Sequence, residues 1–388
     1  MVIQSLLSYL LIIVILLFLA MRASQRVKIQ FLKRKHLKYM PFEMWLAFIV
    51  FACFLGMRYD VGVDHLLYLE RYLTGQGLEY NKYGIGYKTI LQICTWLNLH
   101  AVAFFAILAF IQISFFFYAF KDDYYIYPFL LLFLFVNGDV GSWMNIIRCA
   151  LAMCIWTYSI SFLIEKRWLI YFALCLLAFC FHRSAIILFP AYFILKNGKD
   201  YFDNIWLQYA ILLICICIRI GFASFIYQAE GMVSFCQQMI GGEEELYSNY
   251  DLANLITEKA EVGTGLAFYA KTIVWIFIIA ISPQIKKFYP NTFFVVLYNI
   301  FFFGLAISYL FPTGTISLSR PFRYFFTFQT VMLAYSVYYL YRTKRRFFAI
   351  IIIGLFVGIF VMSQITATTD SHKLYQYFFQ HDINYYPQ

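Results

Sequence analysis

Residues 2–20, VIQSLLSYLLIIVILLFLA, carry no charge, and residues 21–38, MRASQRVKIQFLKRKHLK, hold Arg22, Arg26, Lys28, Lys33, Arg34, Lys35 and Lys38. An α-helix of the first stretch spans about 28 Å, close to the roughly 30 Å hydrocarbon layer of a bilayer. No small-residue cleavage pattern follows Ala20, and the apolar run is long for a signal peptide, so it reads as a retained transmembrane helix. The basic stretch after it belongs on the cytoplasmic side. The same alternation continues to the other end of the chain. With 63% hydrophobic residues, 13% charged residues and a mean hydropathy of +0.72, a soluble fold could not cover its apolar surface. The predicted fold class is therefore all-α: a polytopic transmembrane bundle forming one membrane domain over 1–388.

About 12 apolar spans are predicted, at 2–20, 42–57, 101–119, 125–136, 147–164, 168–181, 184–195, 204–221, 266–282, 292–311, 322–341 and 347–363. Segment 85–97 contains Lys88, Gln92 and Trp96 and reads as a short interfacial or half-inserted helix. With the first linker inside, alternation also places Lys121, Lys166/Arg167, Lys196/Lys199, Lys286/Lys287 and Arg342/Lys344/Arg345/Arg346 inside. That puts 18 of the 30 Lys and Arg on one side, so the net charge of +10 follows the positive-inside rule and implies no nucleic-acid partner. Both termini are then extracytoplasmic. The largest outer loop is 222–265, with acidic residues including Glu243, Glu244 and Glu245. Spans 168–181 and 184–195 are too short to cross separately, so the chain is expected to turn at membrane depth near His182-Arg183-Ser184. Of the nine cysteines, eight lie in or beside apolar segments, which is no disulfide framework. No Cys/His ligand set marks a metal site, and no cofactor is expected.

Placement singles out the candidate site residues. Spans 147–164, 184–195 and 322–341 run inward, so their N-termini face out. A helix N-terminus is already partly positive, yet Arg148 opens the first, Arg183 the second, and Arg320 and Arg323 flank Pro321 at the third. Such arginines either snorkel to lipid phosphates or share a bound anion, for which a pyrophosphate held by two-pronged guanidinium donors is a fit. Arg58, Asp60 and Asp64 follow an outward span. Arg58 is at home at a helix C-terminus, and the two carboxylates would act as a general base or pair with the arginines. His182, at the expected turn, is either a packed core histidine or a base able to take a proton from a sugar hydroxyl. Asn145 and Arg148, three apart, are expected on one helix face.

These residues resemble the motifs of the EpsG-like, Wzy-type polysaccharide polymerases. Arg58-Tyr-Asp60-Val-Gly62-Val-Asp64, with Tyr68, resembles their R-x-x-x-G-x-D-x-x-x-Y signature. Asn145-Ile-Ile-Arg148 resembles N-x-x-R-Q, with Cys149 in place of Gln. Phe181-His182-Arg183-Ser-Ala-Ile-Ile187 resembles F-H-x-S-A-I-I, and Arg320-Pro-Phe-Arg323-Tyr324-Phe resembles R-x-x-x-Y-F. The tail Asp382–Pro387 is loosely similar to their terminal P-Y. The resemblance implies a metal-independent glycosyltransferase of the bacterial cytoplasmic membrane. It would join oligosaccharide units carried on undecaprenyl pyrophosphate, as for O-antigen, capsule or exopolysaccharide. It implies that His182, or else Asp60 or Asp64, is the base. Arg58, Asn145, Arg148, Arg183, Arg320, Arg323 and Tyr324 would then bind the pyrophosphate and sugars. Membrane lipids surround such a protein, and a chain-length regulator or a second copy would be its protein partner. A flippase for the same lipid-linked sugars, or another lipid-linked glycosyltransferase, are the competing readings.

Overall fold

The computed structural model describes residues 1–31, 39–219, 265–311, 320–368 and 371–387. The chain divides into two compact units, Met1–Phe189 with Leu333–Gln388, and Pro190–Met332. Both are helical.

In the first unit, α1 (Val2–Phe31), α2 (Phe42–Gly56), α6 (Ala101–Ala119), α7 (Tyr127–Val136), α9 (Ile147–Ile164), α10 (Trp168–Phe181) and the late helix Arg346–Ile365 carry the apolar mass. Helix α2 lies between α1 and α6, α6 contacts α9, and α9 contacts α10. Their shared interior is aromatic: Phe48, Phe51, Phe116, Phe117, Trp143 and Trp156 are essentially inaccessible. Burying large rings on several helices removes apolar area while adding edge-to-face contacts, as between Phe116 and Trp143 at 5.3 Å. Four short helices complete the part of this unit that matters for the site: α3 (His65–Leu73), α4 (Gln76–Glu79), α5 (Ile85–Trp96) and α8 (Asp139–Asn145). Two strands of two residues each, β1 (Arg58–Tyr59) and β2 (Gln376–Tyr377), pair antiparallel, a small exception to the all-α expectation.

In the second unit, α11 (Leu188–Leu195), which begins in the first, is followed by α12 (Ile205–Arg219), α13 (Leu266–Ala280), α14 (Ser282–Phe288) and α15 (Thr292–Leu310). The 3-10 turn Arg320–Phe322 leads into α16 (Arg323–Arg342), and α17 is the late helix Arg346–Ile365. Lys286 Nζ binds Asp200 Oδ2 at 2.7 Å, tying α14 to the turn before α12.

Among the described residues, five helices are long and apolar enough to cross a membrane, or up to seven if each of two bent pairs counts as one span. The bent pairs are Lys121–Val136 with Asp139–Asn145, at 60°, and Leu266–Ala280 with Ser282–Phe288, at 58°. Four shorter apolar helices, Phe42–Gly56, Trp168–Phe181, Arg183–Leu195 and Ile205–Arg219, account for most of the remaining predicted spans. The chain is thus an all-α protein with several apolar spans, of which five to seven are full-length among the described residues. Helix α1 also runs on through Arg22 and Arg26 to Phe31, so the basic stretch is partly helical rather than a linker from residue 21. The expected loop 222–265 lies outside the described residues, save its last position, as do Lys33, Arg34, Lys35 and Lys38.

Candidate functional site

Arg58 closes α2 and is buried, 3% exposed. Its guanidinium donates to the carbonyls of Leu55 and Val61, and to Met144 O at 3.2 Å, while lying 5.1 Å from the Phe105 ring centre. An always-charged, five-donor group here satisfies the open carbonyls of a helix end. It joins the β1 segment to α8, and no carboxylate pairs with it among the described residues.

Asp60 turns the chain with a φ of 52°, a left-handed conformation that Asp tolerates better than most residues. Its carboxylate binds His372 Nδ1 at 2.8 Å, not Arg58 or the other arginines as expected. Gly62 has a φ of 92°. A Cβ there would stand 2.9 Å from Asn145 Cα and 3.0 Å from Asn145 N and Met144 O, so this place in the signature requires glycine twice over. The Gly62 N–H donates to His372 O at 2.9 Å. Asp64 precedes α3 without capping it through its side chain, and its backbone N–H donates to Asn145 Oδ1 at 3.1 Å. His65 is buried and accepts the Asp60 N–H at Nδ1. Burial first, and the Arg58 charge second, hold its pKa well below 6.5, so its imidazole is neutral.

Asn145 and Arg148 do not share a helix. Asn145 ends α8, Ile146 breaks the chain at φ −98° and ψ 52°, and α9 starts at Ile147. The break sends the two side chains to different partners. Arg148 donates from Nε to Tyr68 Oη at 3.2 Å and from Nη1 to Lys82 O at 2.9 Å. It also stands 4.6 Å from the Tyr83 ring centre. Tyr68 is the last position of the signature, so one bond joins the signature to the Arg148 motif.

The third motif meets the same connection. His182 is extended, φ −147° and ψ 121°, and separates α10 from the 3-10 turn Arg183–Ile187, so the helix is interrupted where the two short apolar runs meet. Its Nδ1 lies 2.6 Å from Ser184 Oγ. The exposed Arg183 donates to Asn81 O at 3.3 Å. Gly84 sits directly on this turn: a Cβ there would overlap the Cys180 carbonyl oxygen, so the backbones touch. Segment 81–84 is therefore held by Arg148 on one side and by Cys180–Arg183 on the other.

The return of the tail to β1 was not legible. Residues 371–387 fold back on β1: Phe378 donates to Met57 O and the Ala101 N–H to Tyr385 O, while His381 stacks on Tyr59 at 3.7 Å. The tyrosines at 80, 83 and 87 were missed as well. Tyr80 and Tyr83 lie in the turn between α4 and α5 and Tyr87 in the first turn of α5, and Arg71 stacks on Tyr80 with 3.7 Å to the ring centre. In the second unit, Arg320 begins the 3-10 turn, Arg323 opens α16, and the Tyr324 ring is fully buried. Pro321 thus lies in the 3-10 turn rather than at the first position of the α-helix.

A multi-helix membrane protein with arginines, a neutral histidine and tyrosines gathered at one set of short helices is the class that fold and site define. The chain matches the EpsG family over residues 42–379, and it belongs to that family. It is accordingly a membrane protein of polysaccharide biosynthesis, in a family associated with glycosyltransferase-like polymerase activity. No curated protein and no solved structure matches it.

Proposed function

We propose that this protein is a polymerase that joins undecaprenyl-pyrophosphate-linked oligosaccharide units on the outer face of the bacterial cytoplasmic membrane. The observation that carries the reading is the joining of three separate motifs, Arg58–Asp64 with Tyr68, Asn145–Arg148 and His182–Arg183, into one bonded network in the first unit. In this reading Arg148 faces the pyrophosphate of the donor with the Nη2 donors its protein bonds leave over. Arg183 meets the same anion from the exposed side of segment 81–84. His182 takes the proton from the acceptor sugar hydroxyl, its Nδ1 steadied by Ser184. The hydroxyl oxygen bonds to the donor's anomeric carbon as the bond from that carbon to the pyrophosphate oxygen breaks. The leaving pyrophosphate keeps the electron pair, and arginines lower its charge without a metal ion. Arg58 and Asn145 position the turn that bears Asp60 and Asp64. Those two carboxylates are the alternative bases. Arg320, Arg323 and Tyr324 enter on sequence grounds alone, as further anion contacts.

The test is incubation of the purified protein with one defined undecaprenyl-pyrophosphate repeat unit. Laddered products are expected, and His182→Ala should slow them by about 10²–10⁴-fold while binding of the lipid-linked unit survives. Movement of the intact unit across a vesicle wall, with no ladder, would refute the polymerase and favour a flippase.

A further inference from the structure

Two guanidinium groups approach one tyrosine. Arg148 Cζ is 4.6 Å and Arg71 Cζ 5.4 Å from the Tyr83 ring centre, and Arg71 Nη1 donates to Tyr83 Oη at 3.1 Å. Tyr80 covers Arg71, with 3.7 Å to its ring centre, and stands edge-on to Tyr83 at 4.9 Å. Tyr68 accepts from Arg148 and stacks on Tyr83 at 5.9 Å. Behind them Tyr87 is fully buried, 4.9 Å from Tyr83 and 5.9 Å from Tyr68. Its hydroxyl has no hydrogen-bond partner among the described residues, and both Arg71 and Arg148 act on it electrostatically.

A purely structural cluster would not be assembled this way. Arginines that only pack a fold are neutralised by carboxylates, or spend their donors mainly on carbonyls, as Arg58 does on three, whereas Arg148 meets one. Among the described residues the ion pairs are Arg26–Glu43, Arg167–Glu165, Lys286–Asp200 and His372–Asp60, so neither Arg71 nor Arg148 is neutralised. Each has five N–H donors; Arg148 spends two on Tyr68 and Lys82, and Arg71 bonds the Tyr83 hydroxyl. Like charges that converge on one ring repel until an anion lies between them. The tyrosines add hydroxyl donors and flat apolar faces of the kind that sugar rings stack on.

We infer that Arg71, Arg148 and Tyr83 form a clasp for a diphosphate ester, Arg148 taking one phosphate and Arg71 the other, with Tyr80 and Tyr68 flanking the sugar that follows. This deepens the proposed function, since it rests on Arg148 as the donor's anion contact and assigns the second phosphate to a residue outside the family-like motifs. The clasp selects a diphosphate over the monophosphate of a membrane lipid because a diphosphate offers each planar fork its own pair of oxygens.

The experiment measures binding of undecaprenyl pyrophosphate, undecaprenyl phosphate and phosphatidylglycerol micelles to the detergent-purified full chain, by thermal shift and by competition. Wild type should prefer the pyrophosphate by about tenfold or more, and Arg71→Lys, which keeps the charge but loses the planar fork, should erase that preference. Tyr83→Phe removes only the hydroxyl that holds Arg71, and should reduce the preference in part. Equal binding of mono- and diphosphate by wild type, equal competition by phosphatidylglycerol, or an unchanged preference in Arg71→Lys would each overturn the clasp. Ladder assays on the same samples separate the two readings. Arg71-dependent diphosphate binding without ladders keeps the clasp and removes the polymerase. Ladders with an indifferent Arg71→Lys do the reverse.

Discussion

Gly62→Ala probes the joint on which the network depends. The substitution meets two separate penalties. The first is conformational: at a φ of 92° an L side chain crowds its own backbone, at about 1–2 kcal/mol. The second is contact: the new Cβ would stand 2.9 Å from Asn145 Cα and 3.0 Å from Asn145 N and Met144 O, all backbone, with no side chain to swing aside. Forcing a methyl into such a place costs about 1–3 kcal/mol more. Gly138 supplies the control, because its φ is 97° but a Cβ there would meet nothing within 4 Å. Gly138→Ala therefore measures the first penalty alone. Denaturant unfolding in detergent micelles, followed by tryptophan fluorescence, should place Gly62→Ala about 1–3 kcal/mol below Gly138→Ala. Polymer formation should fall in Gly62→Ala alone, since moving Asn145 away from the turn breaks its bond to the Asp64 N–H and disturbs Arg148 three residues on. If the two variants were equally stable, the close approach of the signature turn to α8 would be refuted.

Three other substitutions address the remaining contacts. Arg148→Lys keeps the charge but cannot bind Tyr68 Oη, Lys82 O and an anion together; ladder rates should fall by about 10²–10³-fold, as for loss of a transition-state donor, and full activity would reject the anion role. Asp60→Asn should loosen the tail: hydrogen exchange at Gly62, which donates to His372 O, should quicken, and unchanged protection there would show that the Asp60–His372 pair does not hold it. His65 gives a pH signature. Its folded pKa lies well below 6.5, so below about pH 6.5 the unfolded chain binds a proton that the folded chain refuses, and stability falls as pH drops through that window. His65→Asn, which keeps an acceptor near Nδ1, should lose less stability than wild type between pH 7 and 5; parallel melting curves would contradict the buried neutral imidazole.

Helices were legible wherever apolar runs were long, because span length and composition are local properties. The break at His182 was legible for a related reason: two runs too short to cross separately imply an interruption between them. Position made Arg148 a candidate, while Gly62 and Tyr68 stood out only through the resemblance to the family signature. What escaped were the properties set by packing partners. Nothing in Asn145-Ile-Ile-Arg148 announces a break at Ile146, and the arithmetic of a continuous helix therefore put the two side chains on one face. Asp60 was expected as a general base or as a partner of the arginines, but Arg58 spends its donors on three carbonyls and His372 arrives from 312 positions away. The tyrosines at 80, 83 and 87 stood in plain view, yet aromatic residues are so common in this chain, at 22%, that their spacing carried no contrast.

The position of the tail changes what counts as the site. Asp60 and His372 both sit at positive φ, 52° and 50°, and neither is glycine. Such conformations persist where surrounding bonds over-determine them, and here the bonds come from each other. The carboxylate holds the imidazole, Gly62 holds the His372 carbonyl, and the β1–β2 pairing sets Arg58 opposite Tyr377 and Tyr59 opposite Gln376. Tyr375 reinforces this from behind, donating its hydroxyl to Phe54 O while its N–H donates to Ser5 Oγ, which in turn donates to Gln364 on α17. The signature turn is thus clamped between the beginning and the end of the chain. The family match covers residues 42–379, so His372, Tyr375 and β2 fall inside it, while Ser5 lies before its start. A turn with a left-handed Asp60 and a left-handed Gly62 does not hold its shape on local sequence alone, and the tail supplies the missing constraint.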